Sequence, residues 1–257
     1  MLKVLMARLQ QKHRTMKYPD AVPPPLPDRF RGQPYFDRSL CDTDCKICEQ
    51  ICPTGAISIT DKSIIDLGKC LFCTDCADKC PKNAVSFSKD YRLTVSKRDD
   101  LVVSAEKQQK LSAELNMKIK KLFGRSLKLR QVSAGGCNSC EADVNVLNTV
   151  GWDLGRFGIQ FVASPRHADG ILVTGPVSQN MKLALEKSYN ATPSPKMVIV
   201  VGACAISGGV FSGHNEVCDG AGSILPVDLF IPGCPPHPLT ILNGLLQLIG
   251  RIEKGSS

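Results

Sequence analysis

Twelve of the thirteen cysteines fall into three spaced groups: Cys41, Cys45, Cys48 and Cys52; Cys70, Cys73, Cys76 and Cys80; and Cys137, Cys140, Cys204 and Cys234. Cys218 stands apart in the stretch HNEVCDG and reads as an ordinary buried thiol. Thiolates are soft ligands for zinc and iron, and spacings of two or three residues let consecutive side chains reach one metal or one corner of a cluster. Disulfides are the competing use. The charged N-terminal segment has no uninterrupted apolar core and no small-residue cleavage site, so it reads as lacking a secretion signal. The cysteines are therefore expected to be metal ligands.

The first two groups lie in an internal repeat. CDTDCKICEQICPTGAISI and CLFCTDCADKCPKNAVSF align along their length, and so few apolar residues cannot build an ordinary core without something bound at the cysteines. Cys70-x2-Cys73-x2-Cys76-x3-Cys80-Pro81 is the bacterial ferredoxin spacing, in which the cysteine before proline ligates the other cluster. Crossed ligation follows: Cys41, Cys45, Cys48 and Cys80 for one four-iron cluster, Cys70, Cys73, Cys76 and Cys52 for the other. The first half departs by one residue, since Cys41 and Cys45 are separated by three residues and Asp42 stands where a strict match would put sulfur. A one-residue bulge delivering Cys41 is the expectation, with Asp42 as the competing ligand. Paired zinc sites fit the cysteine count but not the spacing.

The third group is dispersed. Cys137, Cys204 and Cys234 each follow a candidate strand, at 127–132, 197–201 and 227–231, and ligands of open parallel sheets gather at the carboxyl ends of strands. With Cys140 they are expected at one site, among glycines that allow close backbone approach. A thioredoxin-like dithiol at Cys137 and Cys140 would leave Cys204 and Cys234 unexplained, and a four-cysteine zinc site is the other competitor.

The elements that would position these groups read as follows. Residues 2–17 form an amphipathic helix, with Leu2, Leu5, Met6 and Leu9 at helical spacing, facing either a neighbouring protein or a membrane surface. A proline-rich strap follows. Residues 91–126 read as a connector carrying one lysine-rich helix, capped by Ser104 and stopped at Gly124. Further strands are expected at 159–163 and 170–174, and helices at 140–149, 179–190 and 237–250. Runs such as MVIVV, separated by helices, indicate a parallel sheet covered on both faces. The fold class is thus α/β: a bacterial-type ferredoxin domain (α+β) followed by a flavodoxin-like domain with a parallel sheet. The divisions are 1–40 helix and strap, 41–98 ferredoxin-like, 99–126 linker helix and 127–257 cluster domain. Residues 1–40 carry eight Lys/Arg against three Asp, and the aromatic content is 5%. That balance suits an anionic surface or an acidic partner and argues against nucleic acid. No apolar run is long enough to span a membrane.

GGCNSCE, SPRHADGILVTGPV, VGACAISGGVF and PVDLFIPGCPPHP together resemble the small subunit of membrane-bound, energy-converting nickel–iron hydrogenases, akin to the complex I subunit that holds the terminal cluster. Residues 14–103, with FRGQP and the repeat, resemble the polyferredoxin-type subunit of formate hydrogenlyase and complex I, so the chain looks like a fusion of the two. The resemblance implies a four-iron cluster on Cys137, Cys140, Cys204 and Cys234, hence three [4Fe-4S] clusters in all. It implies an electron relay to or from a nickel–iron centre in a partner large subunit, with no catalytic residue in this chain. Membrane-arm subunits and an electron-donor subunit or ferredoxin would be the other partners, and the place a peripheral one at the cytoplasmic face of the inner membrane. Complex I relatives have adjacent cysteines where this chain has CNSC, which favours the hydrogenase side. Glu141 matches an acidic position and is a candidate on a proton path or in an interfacial salt bridge; Asp143 stands where relatives often have Glu. His167, His214 and His237 are left out of the ligand set. The alternatives are a complex I-like quinone reductase or nickel-free module, and a zinc-stapled scaffold without redox activity.

Overall fold

The computed structural model describes residues 2–12, 14–42, 44–59, 63–104 and 126–252. Helix α1 spans Leu2–Gln11, shorter than the expected 2–17. Lys12 turns into the left-handed region, and the chain beyond it is drawn onto the body. Met16 N donates to Gly151 O at 2.9 Å, and the Arg156 guanidinium donates to the carbonyls of Met16 and Tyr18. Tertiary bonds thus end a helix that its apolar periodicity alone would extend.

The strap is held by Lys89, whose Nζ donates to the carbonyls of Pro27, Asp28 and Phe30. It leads into strand β1 (Pro34–Phe36), which pairs antiparallel with β4 (Val85–Phe87). Between them lie α2 (Ile47–Ile51), β2 (Ile57–Ile59), β3 (Ser63–Asp66) and α3 (Asp75–Asp78). Strand β5 (Val102–Ser104), inside the segment expected as a connector, pairs with β3 and completes an antiparallel β2-β3-β5 sheet. The cysteine-rich block therefore has the short helices and small sheets of a ferredoxin-like unit. The expected helix between Ser104 and Gly124 lies outside the described residues.

The C-terminal half holds β6 (Leu127–Ser133), α4 (Ser139–Val146), β7 (Ile159–Phe161), β8 (Gly170–Thr174), α5 (Gln179–Ala191), β9 (Met197–Val201), α6 (Ala203–Ser207), β10 (Leu229–Ile231) and α7 (Pro238–Leu248). The five strands form one parallel sheet in the order β10-β9-β8-β6-β7. Counted from β6, this is the 2-1-3-4-5 order of flavodoxin-like folds, whose switch point falls between β6 and β8. Every residue of β8 and β9 is buried, as a sheet covered on both faces requires.

The two halves share apolar packing. Leu67, Val95 and Leu101 of the N-terminal half lie in the same buried cluster as Val173, Ile206 and Phe230. Val95 and Phe230 exchange backbone hydrogen bonds at 3.1 and 2.8 Å. Ser207 Oγ donates to Gly68 O at 2.9 Å, and Arg98 grips Asp66 with two bonds of 2.8 and 2.6 Å just before Cys70. The other sheet face packs on α7 and on Met16 and Tyr18.

Candidate iron–sulfur sites

The repeat is visible in atomic detail. In each half the alanine amide four residues after the cysteine of the Cys-Pro step donates to that cysteine's sulfur: Ala56 N to Cys52 Sγ and Ala84 N to Cys80 Sγ, both at 3.2 Å. Gly55 and Asn83 occupy the same left-handed position of the two turns, each donating its amide to the cysteine carbonyl. Amide bonds to sulfur favour the thiolate that a metal or cluster needs.

Cys52, Cys70, Cys73 and Cys76 line one pocket, walled by Ile57, Ile65, Leu71 and Phe87. Every pair among these four sulfurs is close enough to interact electrostatically. Burial pushes the Cys70 and Cys76 thiols up to about 12, outweighing the Phe72 and Ala77 amides that favour their thiolates; bound cations would offset that burial. Phe72 N adds a bond to Cys70 Sγ at 3.3 Å.

In the first half of the repeat, Cys48 is buried and interacts with Cys41 and Cys45. Cys41 packs against the core, whereas the Asp42 carboxylate is 70% exposed and paired with Lys82 at 3.8 Å. The extra residue between Cys41 and Cys45 is accommodated with the thiol turned in and the carboxylate out. Cys80 takes the place equivalent to Cys52. Cys48 also interacts with Cys76, which sets the two thiol groups side by side.

The third group assembles at the carboxyl ends of the parallel strands. Cys137 and Cys140 lie in the turn from β6 into α4, Cys204 in the first turn of α6 after β9, and Cys234 just after β10. Again every pair of the four interacts. Gly202 N donates to Ile231 O and Ala203 N to Gly233 O, both at 2.8 Å, which clamps the Cys204 loop to the Cys234 loop. Gly202 and Gly209 adopt positive φ with backbone pressed on sulfur; an added Cβ would stand 2.5 Å from Cys140 Sγ and 2.7 Å from Cys204 Sγ. Burial raises Cys140, Cys204 (to about 11) and Cys234. Cys137 is lowered by the Ser139 hydroxyl 3.4 Å from its sulfur and by the Ser139 amide. Cys234 also interacts with Cys73, so the middle thiol group touches both of its neighbours electrostatically.

Among the described residues no three His, Cys, Asp or Glu side chains close on a point as around one ion. Two groups of four mutually interacting thiols, with Cys48 interacting with Cys41 and Cys45, match the donor chemistry of iron–sulfur clusters.

Glu141 is buried, its Oε1 accepting hydrogen bonds from Ser133 Oγ (2.5 Å) and Thr174 Oγ1 (2.6 Å). Burial raises its carboxyl, but the two hydroxyls outweigh that and leave it below the ordinary value. These hydroxyls were not evident in the sequence, because Thr174 belongs to a strand 33 residues away. Asp143 is raised by burial and lines a cleft with Arg29, Arg31 and Cys234. His214 and His237 each accept a backbone amide at Nδ1, from Glu216 and Leu239, and His237 packs edge-on against Phe30 and Trp152. His167 closes a short 3-10 turn. Cys218 packs against the core.

Residues 137–248 match the family model described as NADH ubiquinone oxidoreductase, 20 kDa subunit, a span containing all four cysteines of the third group. A probable membrane-bound hydrogenase subunit of Pyrococcus furiosus is 41% identical over 134 residues, covering 52% of this chain and 80% of that protein. Formate hydrogenlyase subunit 7 of Escherichia coli is 40% identical over 55% of this chain and 56% of its own length. An NADH-quinone oxidoreductase subunit of Geotalea uraniireducens is 44% identical over 46% of this chain and 69% of its own.

Proposed function

This chain belongs to the family of the 20 kDa subunit of NADH ubiquinone oxidoreductase, and on that premise we propose that it is the electron-relay subunit of a membrane-bound nickel–iron hydrogenase, fused to a ferredoxin-type unit. It is a subunit of an oxidoreductase complex, of the hydrogenase or complex I-like kind. The observation that carries the finer reading is the mutual interaction of every pair among Cys137, Cys140, Cys204 and Cys234, repeated among Cys52, Cys70, Cys73 and Cys76. These residues, with Cys41, Cys45, Cys48 and Cys80, would hold three [4Fe-4S] clusters. When bound, such clusters supply one-electron transfer without proton chemistry of their own.

The chain's own residues do the rest. The interactions of Cys48 with Cys76 and of Cys73 with Cys234 support a series running first, second, third. Ile57, Ile65, Leu71 and Phe87 give the middle group an apolar wall, while Cys73 stays exposed. Cys137 and Cys234 remain exposed, with Val210 and Phe211 exposed nearby in the chain from Cys204, so the third group faces outward toward a partner. That partner is the hydrogenase large subunit, which carries the nickel centre; this chain holds no catalytic residue. Glu141, held as a carboxylate by Ser133 and Thr174, serves at that face as a fixed anion near any proton path. Membrane-arm subunits and an electron donor complete the assembly, peripheral at the cytoplasmic face of the inner membrane. No helix among the described residues is long and apolar enough to cross a membrane.

The second reading, a complex I-like relay to quinone, is favoured by the NADH-quinone oxidoreductase relatives. The two-residue spacer between Cys137 and Cys140, turned by Asn138 at φ 70°, supports the hydrogenase. Iron and acid-labile sulfide analysis of anaerobically prepared protein tests the proposal. About twelve of each per chain are expected, four for each of three clusters; zinc in their place would defeat it. Nickel in the co-purified large partner separates hydrogenase from quinone reductase.

A further inference from the structure

We infer that α1 is an anchor for an anionic lipid surface. None of its ten residues is buried, although Leu2, Val4, Leu5, Met6 and Leu9 are between 53 and 78% exposed. At about 100° per residue, Leu2, Leu5, Met6 and Leu9 fall within a single arc of roughly 100°, and Lys3 and Arg8 flank it on opposite sides. A helix in a globular protein buries such a stripe; this one carries it clear of both cores.

Charge selects the occupant. Lys3, Arg8, Lys12, Arg14 and Lys17 precede the first acidic residue of the chain, Asp20. Cations on both flanks of an apolar stripe suit a helix lying in a headgroup plane, where long basic side chains reach phosphates on either side. A protein groove covering the same stripe would have to offer an acidic rim along both edges. The root of the helix is fixed as an anchor requires: Thr15 Oγ1 donates to Val150 O at 3.1 Å, and Met16 N to Gly151 O. Val150, 67% exposed, adds an apolar side chain of the body beside that root.

The inference concerns α1 alone and stands whether or not the thiol groups hold clusters. Its test is co-sedimentation of the full chain with vesicles of phosphatidylcholine, or of phosphatidylcholine with phosphatidylglycerol. Two variants accompany the wild type, Leu5→Glu/Leu9→Glu and Lys3→Gln/Arg8→Gln/Lys12→Gln. Because α1 buries nothing, both should keep the wild-type melting temperature and iron content. The wild type is expected on phosphatidylglycerol vesicles about tenfold more strongly than on phosphatidylcholine, weakening with salt, and each variant should lose about tenfold. Equal binding to both vesicles, undiminished binding by either variant, or a wild type that stays in the supernatant would overturn it; the last result would assign the stripe to a protein partner.

Discussion

Gly202 presses on the sulfur of Cys140: a β-carbon there would stand 2.5 Å from Sγ, on a backbone held at φ +92°. Neither the contact nor the conformation tolerates a side chain. Gly202→Ala should cost about 1–3 kcal/mol from backbone strain alone. It should also displace Cys140, lowering iron content by about a third while the ferredoxin-like signals remain. Iron analysis and the melting temperature of the same preparation read both effects. A variant with full iron content would show that the close approach does not shape the third site.

Cys41 and Asp42 compete for one role in the sequence, and the structure separates them. The thiol packs inward beside Cys48, while the carboxylate reaches Lys82 in solvent. Asp42→Ala should therefore leave all the iron in place and change stability by less than about 1 kcal/mol, as exposed ion pairs do. Cys41→Ser should lose one cluster. Iron loss in Asp42→Ala would make the carboxylate the ligand.

Arg98 and Asp66 brace the approach to Cys70 where the Gly68 loop meets α6. Their two bonds, with the Gly68 amide also donating to Asp66, fix the loop that meets Ser207. Asp66→Ala leaves a half-buried guanidinium without its partner and should cost about 2 kcal/mol in thermal or denaturant unfolding. An unchanged melting temperature would mean that this pair does not help the halves dock.

Much of the architecture was legible because its physics is local. Strands β8 and β9 span 170–174 and 197–201 as their apolar runs indicate, and α5 follows its periodicity. The gathering of Cys137, Cys204 and Cys234 at one end of the sheet follows from each lying just past a parallel strand. What depended on distant partners was not legible. β1 and β5 are three residues each and exist through pairing with β4 and β3. The early end of α1 is set by Gly151 and Arg156, more than 130 residues away. The hydroxyls that hold Glu141, and the Val95–Phe230 pairing that joins the halves, left no pattern a single chain displays.

Cys218 offers a control within the same domain. It packs against the core, and its amide donates to Val177 O at 2.8 Å. Cys218→Ser should keep full iron and sulfide content, at a stability cost of about 1 kcal/mol for a hydroxyl in a half-buried site. Loss of iron in this variant would place Cys218 among the ligands.

If Cys137, Cys140, Cys204 and Cys234 hold a cluster of their own beside two in the ferredoxin-like half, spin-quantified EPR of the dithionite-reduced protein will show it. The wild type should give signals from three interacting four-iron clusters. Cys234→Ser should lose one of them and retain the other two. Zinc-loaded protein with no reducible signal, or a Cys234→Ser spectrum still showing all three, would refute the assignment.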